Sequence, residues 1–187
     1  SKTPTLSTIT ETSNTDPIGA VGTLVSAFID FTSPAGQVDN VTDVDGTTTI
    51  GIAVTSADER YGTWWYSTDN GSNWNRMGNS VATSARLLAA DANTRVCFQM
   101  NSATEAWGSL GGVMNFRAWD MSSGSNGGTA DATINGGTTA FSSTLDSVDV
   151  MVTGVADGAL ILGSQLITNG TFDAGITGWT TSGTVAW

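Results

Sequence analysis

Two stretches of this chain concentrate hard oxygen donors. The first, DNVTDVDG, carries Asp39, Asn40, Asp43, Asp45 and Gly46. The second, AWDMSSGSNGGTAD, carries Asp120, Ser122, Ser123, Asn126 and Asp131. Calcium takes about six to eight oxygens from carboxylates, amides and backbone carbonyls. Glycine-rich backbone turns tightly enough to aim carbonyls at one ion. Close carboxylates repel unless a cation or solvent compensates, and a net charge of −11 adds to that repulsion. The plainer reading of both stretches is a solvated loop of Asx turns. DVDG is not a full EF-hand loop, because no Glu closes it.

Aromatic residues stand close to these donors. Trp119 precedes Asp120 and offers an aromatic surface, unless strand alternation sends it into the core. Trp64 and Trp65 are neighbours, so one is expected to face in and one out. The outward one would be a platform for a sugar or a peptide, or a strand residue packed under loops. YSTDNGSNW contains Ser67, Asp69, Gly71 and Trp74 at the spacing of an Asp-box, a hairpin motif shared with sialidases. The box occurs once, and Tyr61 and Tyr66 are the only tyrosines. Asp69 accepting from turn amides, Gly71 at positive φ and Trp74 packing across the hairpin make it a structural staple. A glycosidase needs two facing carboxyls about 5–10 Å apart. Asp58 and Glu59 are adjacent and point to opposite faces. Asp120 with Asp131 stays open, but no local pattern demands it. The chain is therefore read as a non-enzyme.

Composition narrows the classes further. No His occurs, which removes His-dependent triads and the common zinc sites. Cys97 is the single cysteine, so no intrachain disulfide framework exists, and it reads as a small buried hydrophobe. One Lys and five Arg against fourteen Asp and three Glu argue against a nucleic-acid surface. No apolar run approaches the roughly 20 residues of a membrane span, so no membrane insertion is expected. No signal peptide is read, and the chain begins and ends as if cut from something longer.

The elements that must hold these residues are strands. Gly, Thr and Ser are abundant and charged residues make up only 12%, a profile of strands and turns. Residues 1–17 suggest an edge strand and a linker. Strands are expected at 24–31, at 47–57, on either side of the Asp69–Asn73 turn, at 111–120 and within 141–155, and 85–100 reads as a short strand or turn of helix, a turn and another strand. Residues 32–46 and 121–140 read as loops, the second long for a compact domain. The fold expected is all-β, an antiparallel β-sandwich with long calcium-binding loops. Residues 1–155 form that domain. Residues 156–187 read as a connector and the truncated start of a jelly-roll-like domain, since Asn169-Gly170-Thr171-Phe172 followed by Gly178-Trp179 resembles the opening strands of carbohydrate-binding modules.

DVDGTTTIGIAVTSAD…GTWWYSTDNGSNW, ARLLAADANTRVCFQMN and MNFRAWDMSSGSNGGTADATINGGTTAFSS together resemble the cadherin-like modules of large bacterial repeats-in-toxin (RTX) adhesins, over about residues 6–153. More narrowly, the chain resembles the peptide-binding domain of such adhesins. The resemblance implies an extracellular β-sandwich on the bacterial cell surface. It also implies Ca²⁺-dependent capture of peptide or protein C-termini on other cells, in attachment and biofilm formation, beside adjacent domains of the same adhesin. Carried onto this sequence, the ligand-binding candidates are Asp120, Ser122, Gly127, Gly128 and Asp131, with Trp119 as their aromatic neighbour. Asp39, Asp43, Asp45 and Asp58 join Asp120 and Asp131 as candidate calcium ligands. The alternatives are a carbohydrate-binding module, which the tryptophans and the tail favour, and a structural extender that spaces other domains.

Overall fold

In RVCFQM every second side chain is a large apolar one, and the chain uses this alternation to build a two-faced strand. Val96, Phe98 and Met100 are buried while Arg95, Cys97 and Gln99 lie half exposed between them. The computed structural model describes residues 2–36, 38–43, 49–101 and 106–155. The chain divides into two units, Ser1–Val155 and Ala156–Trp187. The second, with its expected jelly-roll start, lies outside the described residues, as does Asp45.

Among the described residues ten strands follow in chain order: β1 (Ile9–Thr10), β2 (Thr23–Leu24), β3 (Gly51–Ala57), β4 (Gly62–Ser67), β5 (Asn75–Arg76), β6 (Ala85–Ala89), β7 (Arg95–Met100), β8 (Gly108–Trp119), β9 (Thr129–Ala130) and β10 (Asp146–Thr153). One sheet has six strands in the order β1-β10-β8-β3-β6-β9, and the other has four in the order β2-β7-β4-β5. All pairs are antiparallel except β1 with β10, which runs parallel. The fold is thus all-β in two sheets.

The two sheets share one core. Ile52, Val54, Phe116, Val148 and Val150 from the larger sheet meet Trp64, Tyr66, Val96, Phe98 and Met100 from the smaller. The rings of Trp64 and Phe98 sit 4.8 Å apart and tilted, a favourable aromatic geometry. Each such fully buried side chain contributes about 1.5–3 kcal/mol through removal of apolar surface from water. A second, smaller core lies on the other face of the larger sheet, from Ala53, Ala85, Leu87, Trp119, Ala132 and Phe141. β3 is therefore covered on both faces, which explains why Gly51–Val54 is buried without alternation.

Two expected elements differ. The stretch 24–31 contributes only β2 and then a 3-10 turn at Val25–Ala27. Its buried residues are Val25, Phe28 and Ile29, a spacing of three and four that suits a helical turn rather than a strand. The long segment 121–140 is not wholly a loop. Leu87 and the backbone of Gly127 and Gly128 exchange bonds of 2.8 and 3.0 Å, and β9 continues that pairing along the edge of β6.

Candidate functional site

A recess of about 650 Å³ opens at one end of the larger sheet. That is the size of a small-ligand pocket. Its apolar floor includes Ile29, Ile50, Phe116 and Phe141, and its polar lining includes Asp43, Asp120 and Asp146. These three carboxylates come from separate stretches of sequence, and all three residues are half-buried. No Lys or Arg lines the recess.

Each wall has a physical cause. One wall is the segment from Gly136 to Thr144, which folds back along the end of β8. Trp119 bridges Phe141, Asp120 N–H donates to the Ala140 carbonyl at 3.1 Å, and Ser142 N–H donates to the Ala118 carbonyl at 3.0 Å. The Arg117 guanidinium fixes this wall by donating to the Ser142 and Ser143 carbonyls at 2.8 and 2.6 Å. The facing wall is Asn40 to Asp43. Asn40 accepts from Asp30 N–H at 3.2 Å and donates to both the Phe28 carbonyl and Asp146 Oδ2 at 2.9 Å. Its amide is therefore used up in tying that wall to the start of β10.

The recess brings together only part of the expected site. Asp43 and Asp120 line it; Asp39, Asp58 and Asp131 are not among its lining residues. Asp120 Oδ1 also accepts from the Ser122 amide and hydroxyl at 2.8 and 2.7 Å, an Asx turn that orients the carboxylate. Asp39, at φ 54°, accepts from Gly36 N–H at 2.7 Å. Asp58 is ion-paired with Arg60 at 2.6 Å, and that guanidinium holds its carboxyl below the ordinary range. Asp131 closes its own turn with Thr133, whose hydroxyl and amide likewise hold its carboxyl low.

Gly127 and Gly128 are engaged in the fold. The Gly127 carbonyl accepts from Arg86 Nη1 at 2.7 Å, and its N–H and the Gly128 carbonyl pair with Leu87. Asn126 accepts from Ala89 N–H at 3.0 Å and donates to Thr94 Oγ1 at 2.8 Å, which pins the loop across β6. The aromatic surface expected at Trp119 is corrected. Its ring does leave the shared core, but segment 121–141 folds over it, leaving 1% exposed, with Nε1 donating to the Ser123 carbonyl at 2.7 Å. Trp65 is the outward member of its pair, yet only 8% exposed. Arg76 stacks on its ring 5.0 Å from the centroid, and its Nε1 donates to Gln99 at 2.8 Å.

The Asp-box is a staple. Ser67 Oγ accepts from Gly71 N–H and donates to Asp69 Oδ1, both at 2.8 Å. Asp69 accepts from Asn73 N–H at 2.9 Å and its side-chain amide at 2.6 Å, and these bonds hold the carboxyl low. Trp74 Nε1 reaches across to the Gly19 carbonyl at 3.1 Å. The box lies apart from the recess lining.

The donor chemistry of the recess fits a hard cation in kind. Every polar side chain in its described lining is Asp, Asn, Ser or Thr. It does not fit in number, since no group of three or more His, Cys, Asp or Glu able to hold a metal ion occurs among the described residues. Sequence reasoning missed Asn40 as a brace, Asp146 and the Gly136–Leu145 wall. Only long-range pairing places them, and the one local signal is the small, hydroxyl-rich run before Asp146. Comparison with protein-family models, curated proteins and solved structures finds no match to this chain.

Proposed function

We propose that this chain is a ligand-binding module of an extracellular bacterial adhesin, that it acts without catalysis, and that the recess takes the C-terminal end of a peptide in a calcium-dependent way. The observation that carries the proposal is that Asp43, Asp120 and Asp146 line one recess with an apolar floor, although they do not form a group of three able to hold a metal ion by themselves. The floor suits a terminal side chain. Three carboxylates repel an anionic terminus. Calcium, when bound, supplies the compensating charge; the described carboxylates alone make an incomplete shell for it, so ligand oxygens would share in holding it. The hydroxyl- and carboxylate-rich lining equally matches sugar hydroxyls, which supports a glycan as the second reading.

Calorimetric titration of peptides with free and with amidated C-termini, beside a glycan panel, in calcium and then in chelator, tests this. Free-ended peptides are expected to bind in calcium and to lose binding on amidation or chelation. Binding that survives amidation contradicts terminal capture. Glycan binding alone favours the second reading, and no binding at all favours a spacer.

A further inference from the structure

Ile29 and Ile50 line the recess just described and also a second one, of about 360 Å³. Phe31, Ala89, Ala90 and Met121 supply the rest of its apolar lining, and Asp30 and Asp91 its carboxylates. No Lys or Arg lines it. Asp91 Oδ1 is occupied by the Asn93 and Thr94 amides at 2.9 and 2.6 Å. Its Oδ2 has the Asn126 side-chain amide at 3.5 Å, the outer limit of a hydrogen bond. Asp30 Oδ1 accepts from the Val38 and Asp39 amides.

We propose that this second recess is a subsite for a lysine side chain of the bound peptide. The inference rests on the peptide reading of the adjoining recess. The apolar wall matches the four-carbon stem of lysine, and the Asp91 carboxylate matches its head. A guanidinium seeks a carboxylate with both oxygens open, whereas Asp91 has one oxygen committed to its own turn; a compact ammonium needs only the other. A peptide lying across Ile29 and Ile50 would place its end in the first recess and a lysine in the second.

The probes are N-acetyl-lysine methylamide and N-acetyl-norleucine methylamide, which share a stem and differ in the charge. They are titrated against the ¹⁵N-labelled 187-residue chain in chelator, so the outcome does not depend on calcium. Capped lysine is expected to shift the amides of Ala89, Asp91 and Met121 saturably, with norleucine weaker by about fivefold, the worth of one partly screened charge pair. Asp91→Asn keeps an acceptor for the turn and is expected to bring lysine down to the norleucine level. Ala90→Leu, which fills the recess, is expected to remove the shifts. A lysine-containing free-ended peptide is then expected to bind about fivefold tighter than its norleucine counterpart in calcium. Equal affinity of the two probes, or shifts scattered over the acidic surface, would overturn the subsite. Tighter binding of 1,5-diaminopentane than of capped lysine would also overturn it, by making the occupant a free diamine. If the capped probes behave as expected while free-ended peptides fail to bind, the first recess is misread and the charge preference of the second stands.

Discussion

Asp69 shows how a residue type with chemical promise is spent on structure. Its carboxylate is held by Asn73 and Ser67, and its depressed pKa follows from those bonds. A carboxyl with a folded pKa below its unfolded value stabilises the fold above the unfolded value, near pH 3.9, and loses that contribution as pH falls through the folded one. Asp58, lowered by Arg60, acts in the same sense. Asp69→Asn is therefore expected to lose less stability than the parent between about pH 5 and pH 2, measured by urea unfolding at a series of pH values. Gly71 stands at φ 84°, and a Cβ there would overlap the Gly19 carbonyl. Gly71→Ala is expected to destabilise by about 2 kcal/mol or more in the same assay. The turn of the Asp-box was legible because the bonds among Ser67, Asp69, Gly71 and Asn73 span at most four residues. The recess was not, because Asn40 meets Asp146 across 106 positions.

At the scale of elements, segment 121–141 converts an outward sheet face into a second core. Alternation correctly separates Trp64 from Trp65 and leaves Trp119 open between an aromatic surface and the core. It says nothing about what later covers the outward rings, and here a loop and an arginine do so. Asn126 is the pin that holds the loop to β6 and to Thr94, just before β7. Asn126→Ala is expected to lower stability by about 1–2 kcal/mol. It should also speed hydrogen exchange of the Ala89 amide relative to amides in β4. Unchanged exchange at Ala89 would show that the edge pairing through Gly127 and Gly128 suffices by itself. Strand runs at 62–67 and 95–100 were readable from apolar and β-branched patterning, while 85–89 read equally as a strand or a turn of helix. The turn at Val25–Ala27 was not, since its apolar spacing was read as a strand.

For the whole molecule the dominant fact is acidity: a net charge of −11 with no positive side chain lining either recess. Like charges on a compact fold repel, and salt screens them over a Debye length of about 10 Å at 0.1 M. The midpoint of thermal unfolding is expected to rise with sodium chloride, and to rise at far lower concentration with calcium if a site binds the ion. The most direct test of the central claim is amide NMR of a free-carboxylate peptide added to the chain in saturating calcium. The account predicts shifts gathered at Asp43, Asp120, Ser142 and Asp146, lost with chelator and lost in Asp120→Asn. Shifts elsewhere on the fold, or shifts indifferent to chelator, would contradict it.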